Sequence, residues 1–184
     1  MRCGLDVAPL RVEPRDEAEQ VTQALLDEPL TVVERRDGWA RVVTAYGDSA
    51  WVRGSALAEG EGALPRAAGD DPVALARGFL GSPYEWGGLS RRGIDCSGLV
   101  HLAYRLAGRL VPRDAWQQEA AAAAVDEPRP GDLVTYGDGP RADHIAFWLG
   151  RGRILHATAR EGLGVVEEEE PVELGSHRRR FVRF

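Results

Sequence analysis

The stretch Ile94-Asp95-Cys96-Ser97-Gly98-Leu99-Val100-His101-Leu102-Ala103-Tyr104-Arg105-Leu106-Ala107-Gly108 carries two messages at once. Leu99, Leu102, Ala103 and Leu106 recur at i, i+3, i+4 and i+7, the spacing of one apolar helix face. This predicts a helix from Cys96 to Ala107 with Gly108 as its C-cap. Cys96 then falls in the first turn, among backbone N–H groups without intrahelical acceptors and at the positive end of the helix dipole. Both effects favour the thiolate, the nucleophilic form of cysteine. The small Ser97 and Gly98 leave room for a substrate beside the sulfur. A buried, inert thiol is the competing reading, since free cysteine is among the most buried residue types.

The flanking sequence continues the helical grammar and then changes it. Asp71-Pro72 offers an N-cap and a first-turn proline. Leu75, Ala76, Phe79 and Leu80 mark an apolar face that Gly81 can end. Asp114 can cap a third helix running through the Ala120–Ala124 block. After the turn Pro130-Gly131-Asp132 come strand-like runs: Leu133–Tyr136, His144–Leu149, Ile154–Ala159, Val165–Val166 and Phe181–Phe184. Helices first and antiparallel strands after make an α+β domain. Glu167–Glu170 reads as a solvated strand end.

The first sixty residues differ. Leu30-Thr31-Val32-Val33 and Trp39-Ala40-Arg41-Val42-Val43 are β-rich and separated by the turn Arg36-Asp37-Gly38. Ala50-Trp51-Val52 follows a second turn, Tyr46-Gly47-Asp48. Short strands without a helix suggest a small barrel. Gly60–Asp70 is small, Gly/Pro-bearing and non-periodic, so the chain divides into 1–60, a linker at 61–70, and 71–184.

Composition narrows the function classes. The chain has 184 residues, 43% hydrophobic and 28% charged, which is a globular balance. Its formal charge of −6 argues against nucleic-acid binding. No apolar run approaches the ~20 residues that cross a bilayer. Cys3 and Cys96 could pair but form no disulfide framework, and no Cys/His cluster suggests a metal. No cofactor is implied. The N-terminal residues lack an apolar signal core, so a cytoplasmic protein is expected.

Four histidines are available, His101, His144, His156 and His177. His144 and His156 fall in two strands joined by Gly150-Arg151-Gly152-Arg153. A tight turn makes these strands antiparallel neighbours and allows both imidazoles on one face. A nucleophile, a base and an orienting group follow the logic of a catalytic triad. Cys96 would be the nucleophile, His144 the base and His156 the group that holds the other ring nitrogen of His144. Each histidine alone would more often be structural. His101 is read as structural, and His177, beside Arg178-Arg179-Arg180, as part of a solvated basic tail.

Over about residues 72–170 the sequence resembles the NlpC family of papain-like cysteine peptidases, which cleave bacterial cell-wall peptides. The resemblance rests on ordered blocks: Gly81-Ser82-Pro83-Tyr84-Glu85-Trp86-Gly87-Gly88, Ile94–Val100, Pro112-Arg113, Pro130–Val134, His144–Gly150 and Ile154–Ala157. It implies Cys96 as nucleophile, His144 as base, His156 as third member, and Tyr84 as an oxyanion donor beside the Cys96 backbone N–H. Trp86 is read as a core aromatic. Asp114-Ala115 departs from the Thr-Ser that family members often carry after Pro-Arg.

The N-terminal part is similar to a bacterial SH3-like domain. The segment Val21–Pro29 and the later Tyr46…Trp51 resemble γ-D-glutamyl-L-diamino acid endopeptidases of murein-peptide recycling. In that subgroup the SH3-like domain restricts the cleft to peptides with a free N-terminal L-Ala. Asp95 and Ser97 match the residues that hold this end, with Glu28 and Tyr46 as the matches from the barrel.

The resulting expectation is an α+β, papain-like catalytic domain, helices packed on an antiparallel sheet, preceded by an SH3-like β-barrel. Its activity would be hydrolysis of the γ-D-Glu–diamino acid bond in a murein tripeptide, with no nucleic-acid or membrane partner. The alternatives are a secreted hydrolase acting on intact wall and an inactive wall-peptide binder.

Overall fold

The computed structural model describes residues 1–184, apart from the side chain of Arg178. The N-terminal unit holds β1 (Arg2–Cys3), β2 (Val7–Arg11), β3 (Gln20–Leu25), β4 (Leu30–Arg36), β5 (Trp39–Thr44), β6 (Ser49–Arg53) and β7 (Leu57–Ala58). Five of them form one sheet in the order β3-β2-β6-β5-β4, and β1 pairs with β7. Its core is small, built from Ala8, Leu10, Ala24, Leu30, Ala40, Val42 and Val52. The β4–β5 turn is as expected. Asp37 and Gly38 both take positive φ, 49° and 80°, which suits the right-handed twist of a two-residue hairpin. Strands β2 and β3 escaped the pattern reading. Pro9 argues against a strand, but β2 bonds to β6 only at Arg11–Trp51, so the missing N–H costs little.

The second unit contains α1 (Pro72–Arg77), β8 (Leu89–Ser90), β9 (Gly93–Ile94), α2 (Cys96–Leu106) and α3 (Ala115–Ala121). It continues through β10 (Ala123–Ala124), β11 (Leu133–Gly137), β12 (His144–Gly150), β13 (Arg153–Thr158), β14 (Gly164–Glu169), α4 (Val172–Gly175) and β15 (Arg178–Arg183). Its six-stranded sheet runs β10-β15-β11-β12-β13-β14, every pairing antiparallel. Leu99, Val100, Leu102 and Ala103 of α2 share a core with Leu133, Ile145, Phe147, Leu155 and Ala157 of the sheet. Gly108, at φ 76°, closes α2 just past its C-cap, Ala107, and lets the Arg109 N–H reach the Tyr104 carbonyl.

Three segments depart from expectation. α1 ends at Arg77, and single tight turns carry the chain to Gly81; Phe79 is buried while Leu80 is 48% exposed. α3 stops at Ala121 because Ala123 and Ala124 pair with Arg183 and Val182, so sheet pairing overrides alanine's helix propensity. The basic C-terminus is no solvated tail. β15 pairs with β11 from Gly137–Arg178 to Leu133–Val182, and His177 lies 3.4 Å from Asp138. The acidic run does end a strand, as expected, with Glu167, Glu168 and Glu169 the last residues of β14.

The segment between the units carries no helix or strand, yet it is pinned to both. The Ala63 N–H donates to the Asp27 carbonyl, and the Ala68 N–H donates to the Leu106 carbonyl. Tyr46 meets His101 edge-on, ring centroids 4.5 Å apart. His101 is structural, as expected: it is fully buried and hydrogen-bonds the Val111 carbonyl through Nδ1 at 2.8 Å.

His101 gives the fold a pH response. Burial, helped by the Arg113 and Arg105 charges, pushes its pKa down to about 3. The folded value lies below the unfolded one near 6.5, so the unfolded chain binds the extra proton. This contribution to stability is therefore present above about pH 6.5 and declines as the pH falls. His101→Gln should flatten the pH slope of the unfolding free energy by up to about 1.4 kcal/mol per pH unit between about pH 6 and 4. Urea melts across that range check it.

Candidate active site

Asp95 organises the entrance of α2. It sits at the N-cap with extended backbone, and its Oδ1 accepts from the Gly98 N–H at 2.6 Å. Its Oδ2 accepts from the Gly87 N–H at 2.8 Å, tying the preceding loop to the helix start. Cys96 follows, 6% exposed, with the backbone N–H groups of Ser97 and Ile145 near its thiol. Ile145 is the neighbour of His144, so the thiol meets β12 at its first residues.

Register then decides where the imidazoles go. Phe147 pairs with Leu155 and Trp148 with Ile154 across β12–β13. Side chains alternate between faces, so His144 and His156 are diagonal neighbours on one face. Ile145, Phe147, Leu155 and Ala157 take the other face, toward α2. His144 Nε2 lies 2.8 Å from His156 Nδ1, the rings nearly perpendicular at 85°. His156 Nε2 lies 2.9 Å from Glu168 Oε1 on β14.

The electrostatics correct one expectation. Burial, reinforced by the Asp95 carboxylate, pushes the Cys96 thiol up to about 12, against the backbone N–H groups that favour the anion. Burial also pushes His144 down to about 3, with His156 adding to the effect. Desolvation outweighs the helix-end field. Both shifts favour the uncharged forms, a thiol and a neutral imidazole.

A cavity of about 400 Å³ opens beside the sulfur. Of the expected site residues, Cys96, Asp95 and Ser97 line it, whereas Tyr84, His144, His156, Glu28 and Tyr46 do not. Tyr84 is half-buried, and burial together with the neighbouring Cys96 and the Asp95 carboxylate raises its hydroxyl pKa. Trp86 is no core aromatic: it is 61% exposed, lines the cavity and donates through Nε1 to Glu19 Oε1 at 2.9 Å. Asp114, the departure from the family's Thr, lines the cavity too.

Glu28 and Tyr46 are placed elsewhere. Glu28 is fully buried, accepting from the Leu25 N–H at 2.8 Å and from Arg105 at 3.2 Å. The Tyr46 hydroxyl is spent on Thr22 Oγ1 and the Gln23 carbonyl. The barrel residues that do line the cavity are Glu19 and Val21. Gln20 Nε2 fixes this edge by donating to Glu85 Oε1 at 3.0 Å and to the Trp86 carbonyl at 2.9 Å.

The residue that pattern reading passed over is Arg113, 1% exposed. It donates to both Asp95 oxygens at 2.9 and 2.7 Å, to Ser97 Oγ at 3.0 Å and to the Gly88 carbonyl at 3.0 Å. Its Nε donates to Thr22 Oγ1 of the barrel at 3.0 Å. Among the described residues no group of three or more His, Cys, Asp or Glu is arranged to hold a metal. Among the described residues no helix is long and apolar enough to cross a membrane.

Family models match this architecture in both units. The NlpC/P60 family model covers residues 81–175, and the bacterial dipeptidyl-peptidase SH3 domain model covers residues 10–57. The chain belongs to the NlpC/P60 family. It is similar to a γ-D-glutamyl-L-lysine dipeptidyl-peptidase of Bacillus cereus, 34% identical over 66% of this chain and 38% of that protein. A protein of the same name from Bacillus subtilis is 31% identical over 70% of this chain and 44% of its own length. A solved NlpC/P60 family protein from Bacillus cereus aligns over 100% of this chain and 62% of its own, with TM-score 0.57 and 26% identity. The chain thus spans less than half of each of these two curated relatives.

The buried ion pair yields a prediction. Arg113→Leu leaves Asp95 charged and short of donors, which costs about 3–5 kcal/mol of stability. Adding Asp95→Asn should recover part of the loss, as measured by chemical denaturation of the single and double variants.

Proposed function

We propose that this chain is a cysteine peptidase that hydrolyses the γ-D-Glu–diamino acid bond of short murein peptides carrying a free N-terminal L-Ala. The observation that carries the reading is a thiol at a helix entrance, meeting the strand of a His–His pair and opening into a cleft edged by the barrel. His144 takes the Cys96 proton as sulfur attacks the γ-carbonyl. The Cys96 backbone N–H and the Tyr84 hydroxyl face the developing oxyanion in this reading. His144 then gives its proton to the leaving amine, and a thioester remains. Water, deprotonated by His144, cleaves the thioester and frees the sulfur.

Substrate choice follows from the cleft's composition. Carboxylates from both units, Glu19 and Asp114, border the cavity, which suits a peptide end bearing an ammonium group. The barrel edge supports short released peptides over cross-linked wall. The names of the curated relatives point to the same bond class. The reading includes peptidoglycan recycling and a cytoplasmic setting for it.

Purified protein should release L-Ala-D-Glu from L-Ala-γ-D-Glu-diaminopimelate or its L-lysine counterpart, and Cys96→Ala should reduce turnover by at least about 10³-fold. N-acetylation of the substrate should abolish cleavage. Equal turnover by Cys96→Ala would refute the peptidase, and equal cleavage of the acetylated peptide would refute the free-amine requirement.

A further inference from the structure

We propose that Glu168 is a positioning residue that sets the proton arrangement of both imidazoles and so leaves the correct nitrogen of His144 bare for the thiol. The inference rests on the reading of Cys96, His144 and His156 as the reacting set. His156 pairs with Val166 across β13–β14, so Glu168, two residues on, lies diagonally on the face that carries both histidines. One residue from each of three adjacent strands therefore forms a continuous line, with contacts of 2.8 and 2.9 Å.

The line has a direction because its last member accepts only. An ionised carboxylate has no proton to give. Glu168 is held ionised although burial opposes it, because Arg160 and His156 hydrogen-bond it and keep its pKa below the usual range. The Arg160 guanidinium approaches both Glu168 oxygens at 2.5 Å. His156 must then carry its proton on Nε2 and donate it to Glu168. A neutral imidazole has one N–H, so His156 Nδ1 is an acceptor. The 2.8 Å contact then requires His144 to carry its proton on Nε2. His144 Nδ1 is left bare, and in the proposed function this is the nitrogen that takes the Cys96 proton. When it does so, His144 Nε2–H still donates to His156 and no proton passes to Glu168.

Labelling the four histidines with ¹⁵N reads the arrangement directly. In the wild-type protein at neutral pH, His156 and His144 should each show a protonated Nε2 and a bare Nδ1. Glu168→Gln keeps the shape, but its amide can donate to His156 Nε2. This variant should lose the single arrangement and lower kcat between about 10-fold and about 10⁴-fold, with KM nearly unchanged. A protonated Nδ1 on either histidine of the wild type overturns the proposal, as does an unchanged ¹⁵N pattern or unchanged kcat in a folded Glu168→Gln protein. The wild-type spectrum decides the matter if the variant does not fold. The NMR readout needs no substrate, so failure of the substrate assignment, seen as no turnover by wild type, is distinguishable from failure of Glu168.

Discussion

A buried guanidinium–carboxylate pair, Arg113 with Asp95, is the constraint on which the site depends. Asp95 caps α2, holds the loop at Gly87 and meets both terminal nitrogens of Arg113. Two charges taken out of water at this depth are tolerable only when nearly every hydrogen-bonding position is filled. That requirement is met by Gly88, Ser97 and, from the other unit, Thr22. The same saturation that makes the pair viable fixes where the Cys96 sulfur sits. It also joins the barrel to the catalytic unit by a bond that neither could satisfy alone.

Burial governs the chemistry as well as the architecture. The N-terminus of α2 offers positive potential, yet Cys96 is held as a thiol because it is almost wholly removed from water. His144 is held neutral for the same reason. In the proposed reaction such a pair would be the acid and the base, the proton moving between them. Its competence then depends on which nitrogen of His144 is bare, a property that hydrogen bonds can set across the sheet. In the proposal the carboxylate on β14 matters in this way although it does not line the cavity.

The relation between the two units explains the cleft. Glu28, buried against Arg105, and Tyr46, packed on His101, act as interface elements, while Glu19 and Val21 reach the cavity. An acidic residue of the barrel does line the cavity beside Cys96, but it comes from the β2–β3 connection, not from the β3–β4 turn. Spacing along the chain cannot distinguish these two loops, since both carry glutamate and both lie near the second unit.

The amino-acid sequence by itself determined what local rules govern. The apolar spacing of Leu99, Leu102, Ala103 and Leu106 defined α2 and put Cys96 at its entrance. The two-residue alternation placed His144 and His156 on one face once the intervening turn was recognised. Both follow from backbone periodicity, which a few consecutive residues suffice to express. Tertiary structure alone decided the rest. Ala123 and Ala124 became strand because β15 was there to pair with them, and the basic C-terminus became that strand. Arg113 acquired its role from partners up to 91 positions away in the chain, and Glu168 from a register shared by three strands. The charge states of Cys96 and His144 likewise reflect how deeply packing buries them, and no local pattern encodes depth.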